Sequence, residues 1–492
     1  MTYFRLYLFS FLILAAALQA KESPVLTETE NTVTGPLVLN PDFGKNQDTV
    51  EPVKPPLDFW VPLSMTLFQN AAVWAWDYFV LQKHYAKTGP HIWKRNFEEG
   101  WQWDNNHFAV NFFGHPYQGS FYFVGARGMG YGFYPSFLYT LTGSYVWEMF
   151  CEEEYPSTND LIVTSIGGAM YGEILFRLSQ RLLSKPNPSL LDEGMGFILH
   201  PLSSLERKIF GVRTHNPGYM PMELSLKLGG GARFGHEYNY DHELYSNPDI
   251  DGWNGGFAMV GFDLIYGTPD RTIKEPFEYF TVDLTQDWGH TGGGFFRMNT
   301  LGKLANLHFN SGNNWADVGT YAHFDTYYGE LVEMGALSLG VGLDFNLEFI
   351  PMWRFRMTHL PSVVVLGSSD FNYDDILAKR KENYEVTRTY QLSYGLNYKF
   401  NLEVEWLGHG IFKDKVNAYL FSTMPRSEPH YGATGFDIVG NNTAMIEAYL
   451  PWQFSIGIRL DSYIKIAAYD GKDFSPMSRI IHSIGTYIQY SL

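Results

Sequence analysis

The segment HSIGTYIQYSL, residues 482–492, alternates: Ile484, Ile488, Tyr490 and Leu492 fall on one face of an extended chain, Gln489 and Ser491 on the other. Successive side chains of a strand point to opposite sides, so this stretch reads as a strand with one apolar and one polar face. The same texture runs back to about Met220. MELSLKL (222–228), FEYFTVDL (277–284), RTYQLSYGLNYKF (388–400), NAYLFS (417–422) and FSIGIRLDSYIKIAAY (454–469) place an apolar or aromatic residue at every second position. Clusters such as SNPDIDGWNGG (246–256) and SGNNWAD (311–317) read as turns between them. There are about twelve such segments, each near the length that crosses a bilayer at a tilt.

The polar positions decide between two β architectures. Asp263, Asp283, Asp344, Glu403, Glu405 and Asp461 alternate with the apolar residues. Carboxylates there suit a wet barrel lumen, whereas a soluble β-sandwich or lectin-like repeat would bury them in a dry core. WNGGFAM (253–259) and ENYEVT (382–387) read as loop and turn sequence, and IFGVRTHNPGY (209–219) as a linker into the first strand.

Ahead of this region the chain changes character. Arg5, the apolar run Leu6–Leu14 and the small residues Ala15–Ala20 read as a secretory signal peptide over residues 1–20. Residues 21–57, rich in Pro, Thr and Glu, read as a disordered periplasmic linker. From 58 to 185 the periodicity is helical. In MTLFQNAAVWAWDYFVLQKHY (65–85), Leu67, Ala71, Trp74, Phe79 and Leu81 define a broad apolar face. Pro116 opens a helix through Ala126, and two more follow over 136–152 and 157–183, the last begun by Ser157 or Thr158 with Asp160 in its first turn. In NFFGHPYQGSFYFVGAR (111–127), Gly119 and Ala126 permit close helix contact. Residues 186–218 read as a second linker and 219–492 as an outer-membrane β-barrel, so the expected class is α+β, a helical domain followed by a transmembrane antiparallel barrel.

Composition limits the function. A net charge of −17 excludes a phosphate-backbone binder, so no nucleic-acid partner is expected. The single cysteine, Cys151, excludes an internal disulfide, a cysteine metal cluster and lipid attachment at a new N-terminal cysteine. Beyond the signal no clean apolar run of about 20 residues is found, which disfavours an inner-membrane helical bundle.

WKRNFEEGWQWDNNHFAVNFFGHPYQGSFYFVGAR (93–127), WEMFCEEEYPSTNDLIVTSIGGAMYGEILFRLS (147–179) and EPFEYFTVDL (275–284) resemble the bacterial domain-of-unknown-function 3943 family. The resemblance covers about residues 60–300 and is strongest over 93–183. It implies an envelope protein with a helical front and a barrel-like rear, and it carries no established activity. The closing IGTYIQYSL is similar to the C-terminal assembly signal of bacterial outer-membrane proteins, with Leu492 where the last residue is typically Phe. This implies a Gram-negative outer-membrane location, with membrane lipid and the barrel assembly machinery as partners.

The chemistry rests on polar residues within apolar helices. Glu148 and Glu152, spaced i to i+4, share one helix face about 6 Å apart and repel unless a proton, cation or basic partner intervenes. With His115 and Asp160 they are the catalytic candidates, while Arg127, Glu173 and Arg177 are candidates for a buried polar network in which Arg127 could neutralise Glu148. One histidine beside two glutamates is weak metal evidence, so neither metal nor cofactor is expected. Nucleophile-elbow, P-loop and Rossmann fingerprints do not occur. Two functions follow: a non-enzymatic barrel whose helices form a plug or periplasmic cap, acting in transport or envelope organisation, or a barrel-borne enzyme acting on a lipid or other envelope substrate.

Overall fold

A computed structural model describes residues 55–185, 187–211, 220–239, 249–289, 294–329, 332–370, 388–427, 433–470, 474 and 476–492. The signal peptide, the linker up to residue 54 and ENYEVT lie outside the described residues. Two compact units emerge, a helical one before Pro221 and a β unit after it.

The β unit contains β1 Met222–Asn239, β2 Asp249–Tyr266, β3 Phe280–Gly289, β4 Gly294–Ser311, β5 Asn314–Gly329 and β6 Glu333–Ile350. It continues with β7 Trp353–Asp370, β8 Tyr390–Trp406, β9 Gly410–Thr423, β10 Gly435–Tyr449, β11 Phe454–Tyr469 and β12 Met477–Ser491. Each strand pairs antiparallel with its sequence neighbours, and β12 returns to β1, closing a twelve-stranded barrel. Leu228 lies opposite Ile488 at the seam, and the Leu492 amide donates to the Leu224 carbonyl at 2.7 Å. Closure leaves no open edge, the condition for a sheet to stand in lipid. WNGGFAM is ladder rather than loop: Trp253–Met259 belong to β2, where Gly255 and Gly256 face Arg233 and Ala232. Glycine there does not break pairing, because β1 runs alongside the whole segment and supplies its partners.

Alternation sorts the side chains as the period requires. In β11, Ile456, Ile458, Leu460, Ile464 and Ile466 face outward while Arg459, Asp461 and Lys465 are buried inside. At about 3.3 Å per residue and a tilt near 40°, that outward run is roughly 25 Å tall, the height of a lipid-facing band.

Ion pairs cross the lumen. Lys415 of β9 donates to Asp283 of β3 at 2.8 Å, and Arg297 of β4 to Asp461 of β11 at 2.8 Å, contacts that join well-separated walls of the ring. Lys399 reaches Asp325 at 2.7 Å, Arg479 reaches Asp370 at 3.1 Å, and Lys303 pairs with Asp317. Beside these ion pairs Tyr327, Met334, Val364, Tyr419, Phe421, Val439 and Tyr463 form an apolar cluster. The inward carboxylates are matched by inward lysines and arginines, pairings that sequence alternation alone does not give.

The helical unit holds seven helices among the described residues: α1 Trp60–Ala75, α2 Pro90–Glu99, α3 His115–Gly128, α4 Phe133–Val146, α5 Thr158–Leu183, α6 Leu190–Leu199 and α7 Pro201–Phe210. The last two occupy the stretch read as a linker over 186–218. Ser189 caps α6 in a capping box with Asp192, and Pro201 opens α7. Helix α3 crosses α5 at a glycine pair: a Cβ on Gly119 would lie 2.9 Å from the Gly168 Cα and closer still to the Thr164 carbonyl. Helix α5 is long and apolar enough to cross a membrane by length and composition, yet two thirds of its most apolar window is buried. The apolar face read on the first helix is not its buried face. Leu67, Phe79 and Leu81 are exposed, and α1 buries Pro62, Thr66 and Asn70 instead.

Candidate functional site

Four wide turns interrupt the helices, and three carry or flank the candidate residues. Val110–Gly114 leads directly into His115, Trp147–Cys151 contains Glu148, and Val163–Gly167 follows Asp160. A π turn adds a residue to the helical circuit and re-aims the side chains beside it. Three such turns gather residues that lie far apart in sequence.

The structure brings His115, Glu148, Glu152 and Asp160 into one cluster and adds Asp104. His115 Nε2 lies 3.4 Å from Asp160 Oδ2 and makes no hydrogen bond. Glu148 accepts from the Ser157 amide at 2.8 Å, and the Ser157 hydroxyl caps α5 by accepting from the Asp160 amide at 3.2 Å. Asn159 bridges the acids, donating to Asp104 at 2.6 Å and to Asp160 at 2.9 Å, while Asn111 donates to Asp104 at 2.8 Å. Asp104, Asn111 and Asn159 were missed in the sequence. The polar run DNNH, residues 104–107 amid aromatics, is the signal that could have exposed Asp104.

Burial governs the electrostatics. It pushes Glu148 and Asp160 well above the usual carboxylate range, with neighbouring acids adding to the effect, and raises Glu152 to about 7. The two carboxyls raise and lower one another's pKa in the sense of one shared proton, which relieves the repulsion expected of the i to i+4 pair. Burial also lowers the His115 pKa against the pull of Asp104, which leaves the imidazole neutral. Cys151, buried alongside, is pushed up to about 12 and is an inert thiol. Near neutrality Glu148 and Asp160 are held toward the protonated form and Glu152 is close to its midpoint, beside a neutral imidazole. No group of three or more His, Cys, Asp or Glu among the described residues is arranged to hold a metal ion.

Arg127 does not neutralise Glu148. Its guanidinium forks onto Glu173, with Nε and Nη2 donating at 2.7 and 2.8 Å, and Arg177 Nε donates to the same carboxylate at 2.7 Å. Burial disfavours the Glu173 charge, but the two arginines prevail and hold its carboxyl below the ordinary range. A second polar pocket lies in the stretch read as a linker. Glu206, fully buried and without a hydrogen-bond partner at either oxygen, packs against Gly125 and Gly128, and His200 Nε2 lies 3.5 Å from the Ser120 hydroxyl. The spacing of Leu202, Leu205 and Ile209 around Ser203 and Glu206 was the available helical signal.

A closed antiparallel barrel with an N-terminal helical domain is an outer-membrane-type barrel protein. Residues 100–202 match the model described as Domain of unknown function (DUF3943). The match is narrower than the resemblance over 60–300 and centres on the helices that build the acidic cluster. No curated protein matches. Among solved structures the NanC porin is similar at 8% identity and a TM-score of 0.23, over 53% of this chain and 98% of that one. The outer membrane protease OmpT from Escherichia coli stands at 7% and 0.23, over 55% and 96%, and the KdgM porin at 9% and 0.21, over 54% and 99%.

Proposed function

We propose that this chain resides in the outer membrane of a Gram-negative bacterium as a self-filled barrel that anchors its helical domain in the service of envelope organisation, rather than as a general diffusion pore. The carrying observation is the set of ion pairs across the lumen, Lys415 to Asp283 and Arg297 to Asp461, backed by the apolar cluster around Tyr327 and Tyr419. A pore needs a continuous wet path, and side chains bonded across the ring remove it. Proteoliposomes of the purified chain should not swell in iso-osmotic solutions of small sugars. Swelling at porin-like rates would defeat the reading and return general transport to first place. Membrane lipid and the barrel assembly machinery are its proposed partners.

A second reading, an enzyme acting on an envelope substrate, is favoured by His115, whose Nε2 carries no hydrogen bond beside uncompensated acids. Glu148→Gln removes the proton exchange while keeping the size of the side chain. A variant that folds normally yet loses an envelope phenotype would favour this reading.

A further inference from the structure

Helices α1 and α4 are built the wrong way round for water. Neither contains a charged residue. Helix α4 buries Ser136, Tyr139, Thr140, Gly143 and Ser144 and presents Tyr134, Leu138, Leu141 and Tyr145, spaced by four, three and four residues, as one outward stripe. Leu138 is 59% exposed and Thr140 fully buried. On α1 and the wide turn that continues it, Phe68, Val73, Trp76 and Val80 are exposed, with Phe79 at 66%, while Asn70 is 2% exposed. The two helices pack together: Asn70 Nδ2 donates to the Gly143 carbonyl at 3.0 Å, and the Phe59 and Tyr139 rings lie 5.7 Å apart.

Three threonine hydroxyls bond back along their own helices: Thr66 and Thr140 donate to the Pro62 and Ser136 carbonyls at 3.0 Å, and the half-buried Thr142 donates to the Leu138 carbonyl at 2.8 Å. A contiguous uncharged aromatic and aliphatic surface over two adjacent helices is the kind of exposed patch that marks an interaction with an apolar partner. Residues 211–221 join α7 to β1, a tether that spans at most roughly 40 Å. The strand that this link enters, β1, carries an exposed apolar side chain at Leu228.

We infer that the outward faces of α1 and α4 are seated in the acyl-chain layer of the bilayer that the barrel spans, making the helical domain a monotopic lipid-binding unit. The inference rests on the reading of the barrel as a membrane barrel. Uncharged outward side chains match hydrocarbon, and the short chain link keeps that hydrocarbon within reach.

Full-length Cys151→Ala protein carrying Phe79→Cys, Leu138→Cys or Ile458→Cys is labelled with a small fluorophore. It is then reconstituted in phosphatidylethanolamine and phosphatidylglycerol vesicles containing phospholipid brominated on its acyl chains. Bromine should quench Phe79→Cys and Leu138→Cys as strongly as Ile458→Cys, with little quenching by aqueous iodide. Iodide quenching of the helical positions, with Ile458→Cys quenched by bromine, would overturn the inference in favour of water. Quenching by neither agent would overturn it in favour of a protein covering. An Ile458→Cys label insensitive to bromine would overturn the membrane reading itself. Wild-type chain guards against misfolded variants: a phospholipid bearing a diazirine at mid-chain should label peptides of α1 and α4, and labelling confined to barrel peptides would overturn the inference.

Discussion

Glu148, Glu152 and Asp160 hold protons that the unfolded chain would release, and this makes the helical unit sensitive to pH. Glu152 titrates near 7 when folded against 4.5 when free, so the folded form binds more protons between those values. Stability is therefore fully present below about 4.5 and falls as pH climbs through 7. The denaturation midpoint of the far-UV helix signal should drop between pH 5 and pH 8, by up to about 3 kcal/mol from Glu152 alone. Glu152→Gln should flatten that dependence; a slope unchanged in the variant would assign the titration elsewhere. The neighbouring triad responds differently because its charges are matched. Glu173→Gln strands two buried guanidinium groups and should cost about 3–5 kcal/mol, with Arg127→Met in the same chain recovering part of the loss. Full additivity of the two changes would show that the fork from Arg127 onto Glu173 contributes no coupling.

At the scale of elements, the strands were readable from alternation because one face meets the packed interior and the other does not, as Ser483 and Gln489 against Ile484 and Ile488 demonstrate in β12. Alternation says which residues share a face and nothing about what they meet across a lumen, so the match of Asp283 with Lys415, far away in sequence, could not be read. Helix boundaries at Pro116 and Ser157 were legible through proline placement and capping. The π turns were not, since an inserted residue leaves no compositional mark, and with them went the gathering of Asp104 beside Asp160. The first helix misled because apolar periodicity gives the direction of a face but not whether protein or another apolar medium lies against it. Two elements make sharp tests. Gly119→Val drives a side chain into the Thr164 carbonyl and should lower helical-unit stability by about 3 kcal/mol, read by denaturation. Ile458→Arg places a cation on the outward face of β11 and should cost about 2–4 kcal/mol in refolding into vesicles. No effect on insertion would mean that this face does not meet lipid.

For the molecule as a whole, the twelve strands form one cooperative ring: β12 supplies the ladder that β1 lacks, and the bonds between Leu492 and Leu224 close its end. Opening the ring exposes backbone groups on two strands at once, so a closed barrel resists mild detergent far better than its helical domain should. Dense pairing across the lumen adds to that resistance by tying separated walls together. The most direct test is the electrophoretic migration of the full-length chain from an isolated outer-membrane fraction, run in dodecyl sulfate with and without boiling. Two positions are predicted, a compact fast band unheated and a slower band after boiling. A single heat-independent position, or recovery of the chain in the soluble periplasm, would contradict the account.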